Sequence, residues 1–304
     1  MKNKHFLGSI LAIMSAIFYG GMAYFVKLAK ANGTTTDTIL LGRFLVAVLV
    51  LFAVTKISKI SLKISWKQFI LIFSLAVIGM VTTTYGLFHS YSYISVSKAT
   101  SLHFVYPVVI AILATIMKQD KFSRNKILPI ILCLIGVQLM MRSSVSGRGS
   151  IVGELFAVGS GVTYAIFATG LSLPLVKQVN SLVISFYTCL AGTISLLLVG
   201  GLKGTLEIET NPVSILSIFI LALFSTVLSQ VFFIKAVSLI GAFKSSILST
   251  FEPLVGVTLG IVVFSEKVTL SIGLGIIATL LAVIIVVLQK GKVEIISEEI
   301  KQVA

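Results

Sequence analysis

Residues 94–121 read ISVSKATSLHFVYPVVIAILATIMKQDK, and residues 240–267 read IGAFKSSILSTFEPLVGVTLGIVVFSEK. At a fixed offset of 146 the two align without a gap: Lys98 on Lys244, Leu102 on Leu248, Pro107 on Pro253, Val109 on Val255, Leu113 on Leu259 and Asp120-Lys121 on Glu266-Lys267. Leu and Val coincidences come easily in an apolar chain. Matching lysines, prolines and acid–lysine pairs at one offset do not. An offset of 145 extends the match to an earlier pair of runs, where Gly8, Ala12, Ala16 and Gly20 meet Gly153, Ala157, Gly161 and Ala165, with Ser15 on Ser160 and Tyr19 on Tyr164. A repeat this long means one structural unit copied once.

Composition says what the unit is made of. Of 304 residues, 57% are hydrophobic and only 11% charged, where a soluble domain carries roughly 25% charged residues. The mean hydropathy is +1.10. Apolar blocks run between charges at 6–26, 38–55, 68–97, 99–117, 127–141, 155–176, 181–201, 213–234, 245–265 and 268–289. Spans of about 20 residues are what a bilayer requires. The fold expected is an all-α integral membrane protein with ten transmembrane helices. The first block follows a basic start but is longer than a signal-peptide core and lacks a clean small-x-small cleavage site, so it reads as a retained span. The block at 127–141 is short, and Lys126 and Arg142 are expected to snorkel at its ends.

Each copy holds five spans, and an odd number turns the second copy upside down in the bilayer. The loop charges agree. Lys118, Lys121, Arg124 and Lys126 crowd the loop after the fourth span, whereas its copy keeps only Glu266-Lys267. With the N-terminus inside, sixteen of the 24 Lys and Arg fall inside, seven outside, and Arg43 lies within the membrane. That bias puts both termini in the cytoplasm of a multi-pass cell-membrane protein. The domains expected are residues 1–145, an inverted copy at 150–289, and a cytoplasmic tail at 290–304. Inverted repeats are a recurring transporter architecture, with substrate held near the midplane between the copies.

The net charge of +14 is accounted for by cytoplasmic loops, and without a compact basic patch no nucleic-acid partner is expected. The partners expected are the lipid bilayer and a small-molecule substrate. Cys133 and Cys189 sit in separate apolar runs and suggest packing rather than a disulfide or metal.

Glu252 is the sharpest functional signal. It lies about 12 Å into its span, where a carboxylate is costly and points to function. It either meets a cationic group or proton, or forms a structural ion pair with Arg43. Arg43 itself lies early in its span within snorkelling reach of the outer face, and either attracts an anionic group such as a carboxylate or pairs with Glu252. Pro107 and Pro253 are expected to kink matching helices and free the carbonyls of His103 and Ser249, so these helices should face protein or a cavity. Mid-span Tyr19, Tyr85, Tyr106, Tyr164 and Tyr187, with Thr84 and Gln230, offer a mixed aromatic and polar lining. His89 and His103 read either as cavity groups or as packing histidines, and make a poor metal site. Lys98 and Lys244 start matching spans, one at each mouth, as gate groups or solvated anchors. The small-residue stripes and Gly256-x-x-x-Gly260 let backbones approach closely.

The stretch from Ile94 to Pro107 with Gln119-Asp120-Lys121, and its copy from Lys235 through Phe251-Glu252-Pro253 to Ser265-Glu266-Lys267, resemble the ten-span drug/metabolite transporter superfamily, and within it the EamA-like branch. The resemblance covers nearly the whole chain. The pre-proline Glu common in that family's second module is present as Glu252, but the first module has Tyr106 there, and Asp120 where Glu is commoner. A symmetric acidic pair is therefore not implied. The resemblance implies small-molecule transport without ATP, often export of amino acids or other metabolites.

Other classes lack their motifs. Gly159-Ser160-Gly161 has the wrong spacing for an intramembrane serine nucleophile and lies in the small-residue stripe. No His-Glu-x-x-His, paired-Asp or Gly-x-x-x-x-Gly-Lys motif occurs, so neither catalysis nor a cofactor is expected. A passive channel or lipid scramblase remains the alternative, and the sequence leaves open whether the chain works alone or as a homodimer.

Overall fold

A computed structural model describes residues 2–119, 124–141, 150–264 and 269–288. The described chain is helical, without strands among the described residues. Eight helices there are long and apolar enough to cross a membrane. The remaining apolar material is a helix of 15 residues, Ile127–Met141, and a helix interrupted near Ser249 and Thr250. The Asp120-Lys121 and Glu266-Lys267 pairs, Ser265, Arg142 and the 290–304 tail lie outside the described residues.

The first half comprises α1 (Lys2–Gly20), α2 (Met22–Ala31), α3 (Thr36–Ile57), α4 (Trp66–Leu75), α5 (Thr82–Ser90), α6 (Val96–His103), α7 (Tyr106–Ile116) and α8 (Ile127–Met141). The second comprises α9 (Ile151–Gly170), α10 (Pro174–Lys177), α11 (Ser181–Lys203), α12 (Pro212–Ile220), α13 (Ser229–Ile240), α14 (Ala242–Leu248), α15 (Phe251–Phe264) and α16 (Leu270–Leu288). π-helical segments, Ala76–Val81 and Leu221–Leu228, join α4 to α5 and α12 to α13. In each a threonine, Thr82 or Thr226, donates to the carbonyl five residues back. Such segments widen a helix and often mark functional regions.

Helix starts follow local chemistry. Thr35, Ser95, Asn180 and Asn211 cap α3, α6, α11 and α12 with side-chain oxygens, and Ser65 forms a capping box with Gln68, each meeting amides the helix cannot satisfy itself. Gly241, at φ +82°, makes the abrupt turn from α13 into α14, a backbone geometry open mainly to glycine.

The halves interlock. α1 packs on α13 and α15, while α9 packs on α5, α6 and α7. α3 meets α11, α8 meets α16, and α7 meets α14. At the α8–α16 crossing, Gly136 and Gly275 bring each backbone onto the other, a Cβ on either falling within 2.9 Å of the partner's carbonyl. Leu49, Ile78, Leu198, Leu216 and Ile284 are among many large side chains left exposed, the surface a lipid-facing bundle needs.

Two expectations are corrected. Lys126 does not snorkel: it is 8% exposed, with its ammonium 5.2 Å from the Phe243 ring centroid. The prolines do more than kink. The helix stops at His103 and restarts at Tyr106, and stops at Leu248 and restarts at Phe251. Pro107 is in the second and Pro253 in the third position of the new helix, both in the first turn, where a missing N–H costs little because the amide has no intrahelical acceptor.

Candidate functional site

The two interrupted helices meet α1, α9 and α13 around a small cavity near the middle of the bundle. Free space for water-sized solutes is about 30 Å³, enough for a water or two. Ser15, Ala16 and Tyr19 line it from α1, Tyr164 and Phe167 from α9, His103 and Tyr106 from the first break, Ser249 and Glu252 from the second. Ser225 closes it from the π-helical segment, and Ser229, Gln230 and Phe233 from the start of α13.

The wall near α1 is a polar seam. Ser15 Oγ donates to the Ser229 carbonyl at 2.8 Å and lies 3.1 Å from Ser229 Oγ, while Ser225 Oγ donates to the Phe18 carbonyl at 3.2 Å. Opposite is an aromatic wall. Tyr106 meets Tyr164 edge-on at 4.8 Å between centroids, Tyr164 meets Phe233 at 5.6 Å, and His103 lies 5.3 Å from Tyr106. His103 Nδ1 is tied to Ser160 Oγ at 2.8 Å.

Several polar groups here are left without protein partners. The Tyr106 hydroxyl and Gln230 Nε2 are buried and make no hydrogen bond of good geometry. Ser249 stands close to that hydroxyl, and Gln230 Oε1 takes only a weak 3.7 Å contact from Cys189 Sγ. Glu252 sits in the first turn of α15, where the helix dipole favours a carboxylate. No hydrogen bond or ion pair to its side chain occurs among the described residues.

The expected Glu252–Arg43 ion pair is not formed. Arg43 has no exposed surface and so does not snorkel. Its Nε donates to Thr226 Oγ1 at 2.9 Å, its Nη1 to Met22 Sδ at 3.4 Å, and its guanidinium lies over Phe44 and Phe88 at 5.2 and 5.5 Å. Its Nη2 has no hydrogen-bond partner. Tyr19 stands within electrostatic reach of both Arg43 and Glu252. A guanidinium and a carboxyl thus flank one tyrosine without touching each other.

A family model for the EamA-like transporter family matches residues 6–142 and again 151–288. The chain belongs to the EamA-like transporter family. A transporter of Bacillus subtilis (strain 168) described as "Uncharacterized transporter YvbV" is 23% identical over 240 residues, covering 78% of this chain and 77% of that one. A solved crystal structure matches with a TM-score of 0.80 at 12% identity, over 93% of this chain and 98% of the other, a likeness of fold.

In this EamA-family chain the cavity gathers Tyr19, His103, Tyr106, Tyr164, Gln230 and Glu252, with Pro107 and Pro253 beginning the helices that bound it. The other candidates lie elsewhere. Thr84 is buried and donates to the Met80 carbonyl of its own turn. Tyr187 donates to the Leu62 carbonyl. Tyr85 and His89 stack at 4.0 Å near one end of the bundle, where Lys203 Nζ donates to the Tyr85 hydroxyl at 2.7 Å and His89 Nε2 is 3.7 Å from Asp37 Oδ1. Lys98 forms a part-exposed ion pair, its ammonium 2.5 Å from Glu154. Lys244 is half-buried in α14.

Sequence reasoning missed Ser15, Ser225, Ser229 and Ser249 as lining residues. Their signal was available as small polar positions in otherwise apolar spans, with Ser225 and Ser229 four apart. It also missed Asp37, whose polar neighbours come from segments distant in sequence.

Proposed function

We propose that this membrane transporter is a secondary carrier of small organic metabolites, amino acids and related compounds among them, exporting them across the cell membrane by alternating access. In this reading ten spans form two inverted five-span modules, residues 1–145 and 150–289, with both termini cytoplasmic. The interrupted α14–α15 and the short α8 count as the ninth and fifth spans.

The pairing of helices supports the inverted arrangement. α1 rests on α13 and α15 as its sequence counterpart α9 rests on α5 and α7, while α3–α11 and α8–α16 join counterparts directly and α7–α14 joins one interrupted span to the other. Breaks at Phe104-Val105 and Ser249-Thr250 and π-helical segments at Ala76–Val81 and Leu221–Leu228 recur at nearly the same spacing. Rocking of one module against the other around a midplane site is the motion this architecture allows.

One observation carries the functional reading: a cavity built from both halves holds a carboxyl that has no hydrogen-bond or ion-pair partner among the described residues. Such a group in a bilayer needs a visitor to complete it. Its small free volume suits an occluded state that must open to load. The test is reconstitution into liposomes with a labelled metabolite panel at several pH values. Saturable flux with counterflow is expected. Flux that never saturates would indicate a channel, and no flux for any solute would remove the carrier reading.

A further inference from the structure

The chemistry of the cavity narrows the substrate class further than the carrier reading on which it rests. Glu252 is the lone carboxylate among the lining residues, and no Lys or Arg lines the cavity beside it. The nearest buried cation, Arg43, is walled behind Tyr19, with its guanidinium held by Thr226, Met22 and two phenylalanine faces. Opposite the serine seam the surface is aromatic, the rings of Tyr106, Tyr164 and Phe233 standing 4.8 and 5.6 Å apart. Only neutral groups, the Tyr106 hydroxyl and the Gln230 amide, are left to meet other polar atoms.

We propose that this cavity, once opened beyond the water-sized space it has in this state, selects organic amines that carry one ammonium group on an aromatic or apolar body and no carboxylate, in preference to the parent amino acids. The ammonium sits against Glu252, and the ring faces of the tyrosines add cation–π attraction. With such an amine aboard, the cavity is electrically balanced. An amino acid would add a second carboxylate beside Glu252 and leave the site with a net negative charge in a low-dielectric interior. Burying an ion without a partner costs several kcal/mol, roughly a hundredfold or more in affinity. A hydroxyl on the amine's body is accommodated, because Gln230 Nε2 has no hydrogen-bond partner among the described residues and can donate to it.

Matched pairs that differ only in the carboxylate test this: tyramine against tyrosine, and phenethylamine against phenylalanine. Binding is measured on the full-length protein in nanodiscs by calorimetry and by ligand-induced thermal stabilisation, and flux is measured in proteoliposomes. Each amine is expected to bind at least about 100-fold more tightly than its amino acid. Glu252→Gln, judged folded by its unliganded melting profile, is expected to weaken the amine at least about 30-fold, and the wild-type pairs decide the question even if that variant fails to fold. An amino acid that binds as tightly as its amine overturns the selection while leaving the carrier reading intact. Failure of all four compounds to bind also overturns it. Tight amine binding without flux of any solute upholds the selection and removes the carrier reading instead.

Discussion

Asp37 Oδ2 accepts a hydrogen bond from Thr205 Oγ1 at 2.5 Å, tying the first turn of α3 to the segment that follows α11. It is one of several ties between the α2–α3 turn and residues 205–214. Thr35 Oγ1 donates to the Thr205 carbonyl at 2.9 Å, the Glu207 amide donates to Thr38 Oγ1 at 3.0 Å, and Thr34 Oγ1 lies 2.5 Å from Glu209 Oε2 and 2.7 Å from Ser214 Oγ. At the opposite end the described residues include the ties of Tyr187 to the Leu62 carbonyl, Gln68 to the Leu175 carbonyl and Gln119 to the Thr169 carbonyl. If the halves rock, the Asp37 end must unfasten in each cycle.

A disulfide across that strap should therefore stop transport. Thr34 and Ser214 place their hydroxyl oxygens 2.7 Å apart, close to the ~2.05 Å a sulfur–sulfur bond needs. The double variant Thr34→Cys/Ser214→Cys is expected to lose flux on oxidation and regain it in reductant, while each single variant keeps flux under both conditions. Unchanged flux in a protein shown by mass spectrometry to be crosslinked would mean this end stays shut throughout.

Acid should loosen the same strap. Glu209 is held below the usual carboxylate range, first by the Thr34 hydroxyl and then by the Asn211 amide. A carboxyl whose folded value is depressed stabilises the fold above its unfolded value and loses that contribution as pH falls through the folded one. The thermal unfolding temperature of the wild type should exceed that of Glu209→Gln at pH 7, and the gap should close as pH falls below the ordinary glutamate range.

The Lys98–Glu154 pair is the case in which sequence and structure differ in kind. Lys98 matched Lys244 and looked like a mouth residue, yet it joins α6 to α9 through a part-exposed ion pair. Exposed pairs contribute about 0–1 kcal/mol. Lys98→Glu should lower the melting temperature slightly, the charge swap with Glu154→Lys should restore it, and flux should follow only if this contact gates entry. A flux loss that the swap repairs would give Lys98 a gating role. A loss that the swap does not repair would make the lysine itself necessary.

What could be read from the chain divides along physical lines. The long apolar helices were legible because hydrophobic length leaves a one-dimensional trace, and the two prolines marked where helices depart from regularity, though as kinks rather than the breaks that occur. Glu252, Tyr19, Tyr106 and Gln230 were legible for the same reason, as polar groups where the bilayer forbids them without cause. Arg43 was not. Its depth was counted from the nearer span end, which suggested snorkelling, whereas the fold packs Phe44, Phe88 and Thr226 around it. Thr84 and Tyr85 misled because a mid-span position says nothing about direction: one bonds its own helix and the other points to Lys203. The serine seam escaped because single serines in apolar spans carry little signal until two helices bring Ser15 and Ser229 together.

The small-residue stripe of α9 separates close packing from empty space, and two of its glycines differ sharply. At Gly161 an added Cβ would lie 2.5 Å from the His103 carbonyl oxygen and 2.7 Å from Val105 Cγ1, whereas at Gly159 nothing lies within 4 Å. The His103 carbonyl is backbone at the α6–α7 break and has no rotamer with which to retreat. Gly161→Ala must therefore push α9 away from the break that bears His103 and Tyr106, costing about 1–3 kcal/mol as overpacking does. It should distort the aromatic wall and cut flux along with stability. Gly159→Ala removes only backbone freedom within a helix and should be neutral or stabilising by up to about 1 kcal/mol. Thermal unfolding of the two variants side by side, with flux at a temperature where both are folded, checks the pair. Equal effects would mean α9 slides freely enough to absorb a methyl group, and the close approach at His103 would then have no part in shaping the cavity.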